Sequence, residues 1–457
     1  MSVSRVLAPL FALGLSALML GCPPAKPQAQ PPAGGGGDKT GTGTETPPPV
    51  APLPSAIHIG SVASLTGDNT AFGIASNNGF TLAVEQLNAQ QYFGPGFQIV
   101  PATYDDQSTP TQAATGFKKL IDENKIVAVI GEVSSKISLA MTTIAEDNKI
   151  PMISPASTNE TVTELPYVFR ACYLDPFQGM IVGRYAARDL GKKAGAILYD
   201  TANPYSVGLK DAITAEFTAQ GGQIVAAEAY TAGDKDYRSL IVKLKGSNPD
   251  VVFLTGYAPE AALIMNQAKS EGLAGPFLGG DGWDQPELLA KGGQAIEGSF
   301  FSTHYVETDT DPAVQSFVAA YNTKYGMLPD AIAALGYDAT MMLAGAIKRA
   351  GTVEGPALQA AIASTKDFAG VTGKITLDEK GDPKKGIVII TITGGKRTLA
   401  ARFDADGNPV NIAAAPVMAD GTATTTPAGT TTTTTPDGGA TTTTGGATSP
   451  APAGGNG

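Results

Sequence analysis

Two short runs of small polar residues, Ser134-Ser135 and Ala156-Ser157-Thr158, are the part of this 457-residue chain best suited to hold a ligand. Each follows an apolar, strand-like run, 127–130 before the first and 151–153 before the second. Between them, apolar residues at helical spacing (Ile137, Ala140, Met141, Ile144) read as a helix. Strand, turn, helix, strand, turn puts both turns at the carboxyl edge of neighbouring parallel strands, where doubly wound sheets bind ligands. Unpaired backbone N–H groups and hydroxyls at a helix start favour an anion, through the dipole and the free donors alike. The chemistry implied is the grip of one small anion. A serine at such a place can also act simply as a helix cap, and the two roles are compatible because a cap leaves other donors free.

This stretch, GEVSSKISLAMTTIAEDNKIPMISPASTNE at 131–160, resembles the leucine/isoleucine/valine-binding protein family, the type I periplasmic solute-binding proteins of ABC transporters. The likeness covers roughly residues 55–412. It includes IHIGSVASLTGDNTAFG (57–73), YDDQSTP (104–110), FRACYLDPFQG (169–179), YSVGL (205–209), VVFLTGYAPE (251–260), GGDGW (279–283) and LDEKGDP (377–383). Each motif is short and Gly-rich, and it is their order and spacing together that carry the resemblance.

The resemblance implies a site as well as a fold. Ser135, the backbone of Ala156, and Thr158 would hold a ligand carboxylate. Thr158 has an alternative role as the cap of a short turn through Glu160. Phe72, in the loop-like TGDNTAFG, would line the pocket for the ligand side chain. Tyr205 in NPYSVG and Tyr257 after VVFLTG would add walls that are apolar with a polar tip. Asp281 in GGDGW would take the α-amino group; Trp283 stands close by. Many members carry Glu where Asp281 stands, so the shorter side chain implies a closer amine or an intervening water. Members also often carry a disulfide near the site, at positions matching Ser108 and Ser134 here.

The elements that must position these residues alternate along the chain. Strand-like runs at 57–63, 98–104, 127–130, 194–199, 251–254 and 299–303 are separated by helical patterns at 74–91, 111–124, 207–220, 258–271, 312–325 and 334–350. Such alternation argues an α/β fold with parallel sheets covered by helices. The resemblance implies two Rossmann-like, doubly wound lobes: 55–175 with 305–388, and 176–304 with 389–412. Three crossings near 175, 305 and 388 would form a hinge, and closure of two lobes about such crossings is an established domain motion.

Outside this core, residues 1–21 read as a secretory signal: Arg5, an apolar run at 6–20 broken by Pro9 and Gly14, then Gly21-Cys22. LMLGC looks like a bacterial lipobox, which makes Cys22 the expected lipidated N-terminus and the protein a membrane-anchored extracytoplasmic lipoprotein. Residues 23–54 and 413–457 are rich in Pro, Gly and Thr and are expected to be a disordered tether and tail. Cys172 would then be the mature chain's one thiol besides Cys22, expected to be buried and unpaired. The net charge of −11 argues against nucleic acid as a partner.

Enzyme signatures are weak. The two histidines, His58 in the first strand and His304 at a crossing, belong to no metal-spaced cluster, and no nucleophile elbow, P-loop or dinucleotide motif is present. Asp404-Ala-Asp406-Gly-Asn408 lacks the distal Glu of a calcium loop and reads as a turn. The expectation is a monomeric, cofactor-free binding protein that hands a free amino acid to an ABC importer. Two rivals stay open: an amide, urea or γ-amino acid as ligand, and a sensor or a lipoprotein that recruits an envelope enzyme.

Overall fold

A computed structural model describes residues 51–273 and 275–411. The signal segment, Cys22, the tether and the tail lie outside the described residues, apart from the last few tether positions.

The first sheet holds β1 (Ala56–Ala63), β2 (Gln98–Asp105), β3 (Ala128–Ile130), β4 (Met152–Ser154) and β5 (Val168–Arg170), in the order β2-β1-β3-β4-β5 and all parallel. The second begins with β6 (Ala194–Asp200), β7 (Gln223–Tyr230), β8 (Val251–Leu254), β9 (Phe277–Gly279) and β10 (Phe300–Thr303), again parallel. A small hairpin, β11 (Phe368–Gly370) with β12 (Gly373–Ile375), stands apart. Two antiparallel strands, β13 (Ile387–Thr393) and β14 (Lys396–Phe403), then extend the second sheet to the order β14-β13-β10-β9-β8-β6-β7. Central strands such as β3 and β8 are apolar throughout and buried at every residue, as parallel strands covered on both faces must be.

The connections are helical: α1 (Thr70–Ala89), α2 (Pro110–Asn124), α3 (Ser135–Asn148), α4 (Asp175–Arg184), α5 (Pro204–Ala219), α6 (Arg238–Gly246), α7 (Ala258–Ser270), α8 (Pro286–Gly292), α9 (Pro312–Tyr325), α10 (Ala331–Ala350) and α11 (Gly355–Ala363). Their starts are written in the sequence. Thr109, Asn203, Asp311 and Asp330 each accept a backbone N–H from the first turn, and the first three are followed by Pro at the first helical position. Gly326 and Gly351 close α9 and α10 in the left-handed conformation.

Helices α1 and α10 cross closely beside the first sheet. A Cβ on Gly79 would lie 2.0 Å from the Ala333 carbonyl oxygen, and one on Gly336 would lie 2.3 Å from that of Ser76. The chain passes from the first sheet to the second between β5 and β6, returns between β10 and α9, and leaves again between β12 and β13. Strand β13 begins at Ile387, so it straddles the crossing expected near 388.

Three helices begin three or four residues before their apolar patterns do: α1 at 70, α5 at 204 and α10 at 331. The cap, and not the first apolar residue, sets the start. Phe72 consequently sits in the first turn of α1, a correction to its expected place in a loop.

Candidate functional site

The carboxyl edges of the two sheets face each other across a cavity. From the first sheet's side come Phe72 in the first turn of α1, Ser134 and Ser135 at the β3–α3 turn, and Ala156 after β4. From the second come Tyr205 in the first turn of α5, Tyr257 between β8 and α7, and Asp281 in the turn after β9. About 330 Å³ of empty space lies between the walls, counted to the open mouth, a volume suited to a small solute.

The aromatic residues form one run across it. Phe72 meets Tyr257 edge-on at 5.2 Å between ring centroids, and Tyr257 stacks on Tyr205 at 5.3 Å with only 7° between planes. The Tyr257 hydroxyl donates to Ser134 Oγ at 3.3 Å, a contact between residues of the two halves. A second such contact runs from Asn159 Nδ2 to the Pro204 carbonyl at 2.9 Å. The Tyr205 hydroxyl accepts the Gly282 N–H at 3.1 Å and so braces the turn that carries Asp281.

Asp281 is almost wholly buried. Its N–H donates to Gln178 Oε1 at 2.7 Å, an atom that also receives the Ser302 hydroxyl. One carboxylate oxygen, Oδ2, lies 3.0 Å from His304 Nε2; the other, Oδ1, is buried with no hydrogen-bond partner. The His304 ring stacks on Tyr173 at 3.8 Å. Burial pushes the imidazole down to about 4, against the pull of Asp281. His304 is therefore neutral near pH 7, and the Nε2–H tautomer donates to Asp281. A buried acceptor left open in a ligand-sized cavity is costly unless something charged and hydrogen-bonding fills it.

Six of the seven residues expected at the site line this one cavity; Thr158 does not. It is buried below the wall, where its carbonyl accepts the Asp175 N–H at 2.9 Å. Asn159, and not Thr158, caps the following turn through Thr161 N. Ser135 Oγ accepts the Asn159 N–H at 3.3 Å, which ties the two serine-bearing turns together and leaves the Ser135 proton available. Ser134 occupies the cap position of α3 without making a side-chain capping bond, so the cap-only alternative finds no support there. Trp283 is fully buried, packed under Gly279, and does not reach the cavity.

The match of Ser108 and Ser134 to a disulfide pair is replaced by separate polar contacts, Ser108 with Thr66 O and Asn69 N, and Ser134 with Tyr257. Cys172 is unpaired and buried, its thiol pushed up to about 12 by burial, so it is inert. The Asp404 carboxylate accepts the N–H groups of Asp406 and Asn408 in a tight turn. Among the described residues no cluster of metal-ligating side chains occurs and no helix is long and apolar enough to cross a membrane.

Sequence reasoning did not place Asn69, Val133, Gly282 and Ile332 in the wall, nor His304 behind Asp281. The Gly282 position was within reach, since it adjoins Asp281 in the same motif.

Residues 56–396 match the family described as Periplasmic binding protein. The chain belongs to this family. A Leu/Ile/Val-binding protein homolog of Brucella abortus is 33% identical over 329 residues, 72% of this chain and 87% of that one. A leucine binding protein, LivK, of Thermotoga maritima superposes with a TM-score of 0.73 at 39% identity, covering 77% of this chain and 99% of the other. A solute binding protein of an ABC transporter from R. palustris, in complex with benzoate, gives 0.69 at 26% identity, covering 79% and 98%. A type I periplasmic binding protein of the branched-chain amino acid group thus accounts for both sheets and for the cavity between their edges.

Proposed function

We propose that this periplasmic binding protein captures a free aliphatic amino acid between its two lobes and delivers it to an ABC importer. The ligand carboxylate would rest on the Ser134–Ser135 and Ala156 turns, the ammonium on Asp281, and the side chain against Phe72, Val133 and Ile332. Thr158 would act from beneath, by holding the second turn. The observation that carries this reading is Asp281 Oδ1, a buried carboxylate oxygen without a hydrogen-bond partner, on a residue that lines a small cavity whose other side includes a helix N-terminus with hydroxyls. Such a site wants one positive and one negative group on one small molecule. Because the two ends of that molecule would touch different halves, binding itself favours the closed arrangement. Anchoring through Cys22 is part of the same proposal, resting on the sequence pattern alone.

An aromatic acid is the second reading, favoured by the Phe72–Tyr257–Tyr205 run and by the benzoate-bound relative. Asp281 weighs against it, since benzoate offers no cation to a buried carboxylate. Ligand-stripped protein screened by thermal shift against the common amino acids, leucinamide, γ-aminobutyrate, urea and benzoate separates these readings. A ligand at about 100 times its Kd should contribute roughly 2.7 kcal/mol. Leucine, isoleucine or valine should give the largest shifts; a shift from benzoate alone would replace the amino acid.

A further inference from the structure

Directly behind the serine turns lies a second buried group, Glu132, which does not reach the cavity. Its backbone carbonyl is ringed by the hydroxyls of Ser138 at 2.8 Å, Ser154 at 2.6 Å and Ser157 at 3.0 Å; Ser138 and Ser157 also lie 2.7 Å apart, so one of those two donates to the other and not to the carbonyl. Its side-chain Oε2 accepts the Ser134 N–H at 2.7 Å. One residue therefore ties both turns of the anion-holding wall together.

The other carboxyl oxygen decides its protonation. Ser64 Oγ lies 2.7 Å from Asp106 Oδ1 and 3.2 Å from Glu132 Oε1. A serine hydroxyl has one proton and can donate to only one of these carboxyls. The shorter distance assigns that proton to Asp106, which leaves a Ser64 lone pair facing Glu132 Oε1. The contact is satisfied when Glu132 itself carries a proton and donates it to Ser64. No Lys, Arg or His among the described residues forms an ion pair with Glu132 or Asp106 to favour two negative charges there.

We infer that Glu132 is a neutral carboxylic acid that positions the anion-holding turns and keeps negative charge away from them, so that ionising it weakens ligand binding. The inference rests on the proposed placement of the ligand carboxylate. Around Glu132 the titratable groups are Asp106 on the β2–α2 loop, Asp105 beside it, and the Tyr257 phenol at the start of α7. Burial, reinforced by the Asp106 charge, pushes Glu132 up to about 8. Below that pH the wall is neutral; above it a carboxylate would stand one hydrogen bond away from the turn that receives another carboxylate.

The test uses L-leucine and the whole protein. In wild type the leucine Kd should rise by about tenfold between pH 7 and 9 if only the protonated form binds. In Glu132→Gln, which keeps a donor for Ser64 and an acceptor for Ser134, it should match wild type at pH 7 and change less than about twofold over the same range. A parallel pH dependence in both proteins overturns the inference. Infrared spectra of the ligand-free protein give a readout that needs no ligand. The protonated-carboxyl band at pH 7 should contain a component that fades toward pH 9 and is lost in Glu132→Gln, above the background of other buried acids such as Asp175. The lack of that component in the wild-type-minus-variant difference spectrum at pH 7 also overturns the inference. Should Glu132→Gln fail to fold, Asp106→Asn serves instead: removing the neighbouring charge should move the fading of the band to lower pH, and an unmoved band counts against the pair. If L-leucine binds neither protein, the ligand assignment has failed, and the infrared titration alone decides the state of Glu132.

Discussion

At the residue scale, the working unit is Asp281 with His304 behind it. The imidazole occupies Oδ2 and leaves Oδ1 without a partner, so in the proposed site His304 would act by positioning Asp281 for the ligand. Removing a hydrogen bond to a charged group typically costs about 1.5–3 kcal/mol. His304→Ala should thus weaken amino-acid binding by about tenfold or more, and His304→Gln, which keeps a donor, should recover to within about threefold. The same imidazole has a signature in acid. An unfolded histidine takes up its proton near pH 6.5, whereas His304 is held down to about 4 by burial. A lowered value means that the stabilising contribution is complete above the unfolded value and is lost as the pH falls toward the folded one. Unfolding in denaturant at pH 7 and 4.5 should show wild type losing up to about 3 kcal/mol more than His304→Gln. Equal losses would mean that His304 is not held neutral. Asp281 was expected at the site only because GGDGW matches the family resemblance; a Gly-flanked carboxylate by itself reads as a turn residue. His304 was not expected there, because a lone histidine in a strand-end sequence carries no mark of a partner 23 residues away.

At the element scale, the candidate site is three strand ends of one half, β1, β3 and β4, facing three of the other, β6, β8 and β9. Tyr257, at the start of α7, touches Phe72, Tyr205 and Ser134 at once. Its hydroxyl bond to Ser134 joins residues of the two halves, and a neutral hydrogen bond is worth about 0.5–1.5 kcal/mol net. Tyr257→Phe keeps the ring contacts, so ligand dissociation should speed up by about two- to tenfold while the melting point of the ligand-free protein stays nearly unchanged. Stopped-flow release and a thermal melt check the two halves of that statement; an unchanged release rate would deny the contact a role in closure. The longer helices were legible because their caps and apolar periods agree. The short β9, β11 and β12 went unread, and so did the longer β7, β13 and β14, whereas β3 and β4, just as short, were marked by the small-polar turns that follow them. Thr158 lies outside the cavity wall that Ala156 joins; a turn written in small residues does not show which of three consecutive residues reaches the edge.

At the scale of the whole molecule, the two-sheet arrangement and its place in the periplasmic binding protein family followed from motif order along the chain, while the depth of the slot between the sheets did not. Periodicity describes each element singly, and the cavity exists only where residues as distant as Phe72 and Asp281 meet. Low-complexity composition buries too little apolar surface to hold a fold. Leu53 packs on the core, so a chain limited to 51–412 should keep its ligand affinity within about twofold and its melting temperature almost unchanged; a tenfold loss would place a terminal segment in the site. The central claim is that one small molecule satisfies Asp281 at one end and the serine turns at the other. Titration calorimetry of L-leucine and of 4-methylpentanoate, the same skeleton without its amine, into wild type and Asp281→Asn tests it most directly. Leaving a buried ammonium without its counter-charge typically costs about 3–5 kcal/mol. Leucine should bind wild type at least about a hundredfold more tightly than 4-methylpentanoate, and Asp281→Asn should remove most of that difference. Equal affinity of the two ligands for wild type, or leucine binding that survives Asp281→Asn within about threefold, would contradict it.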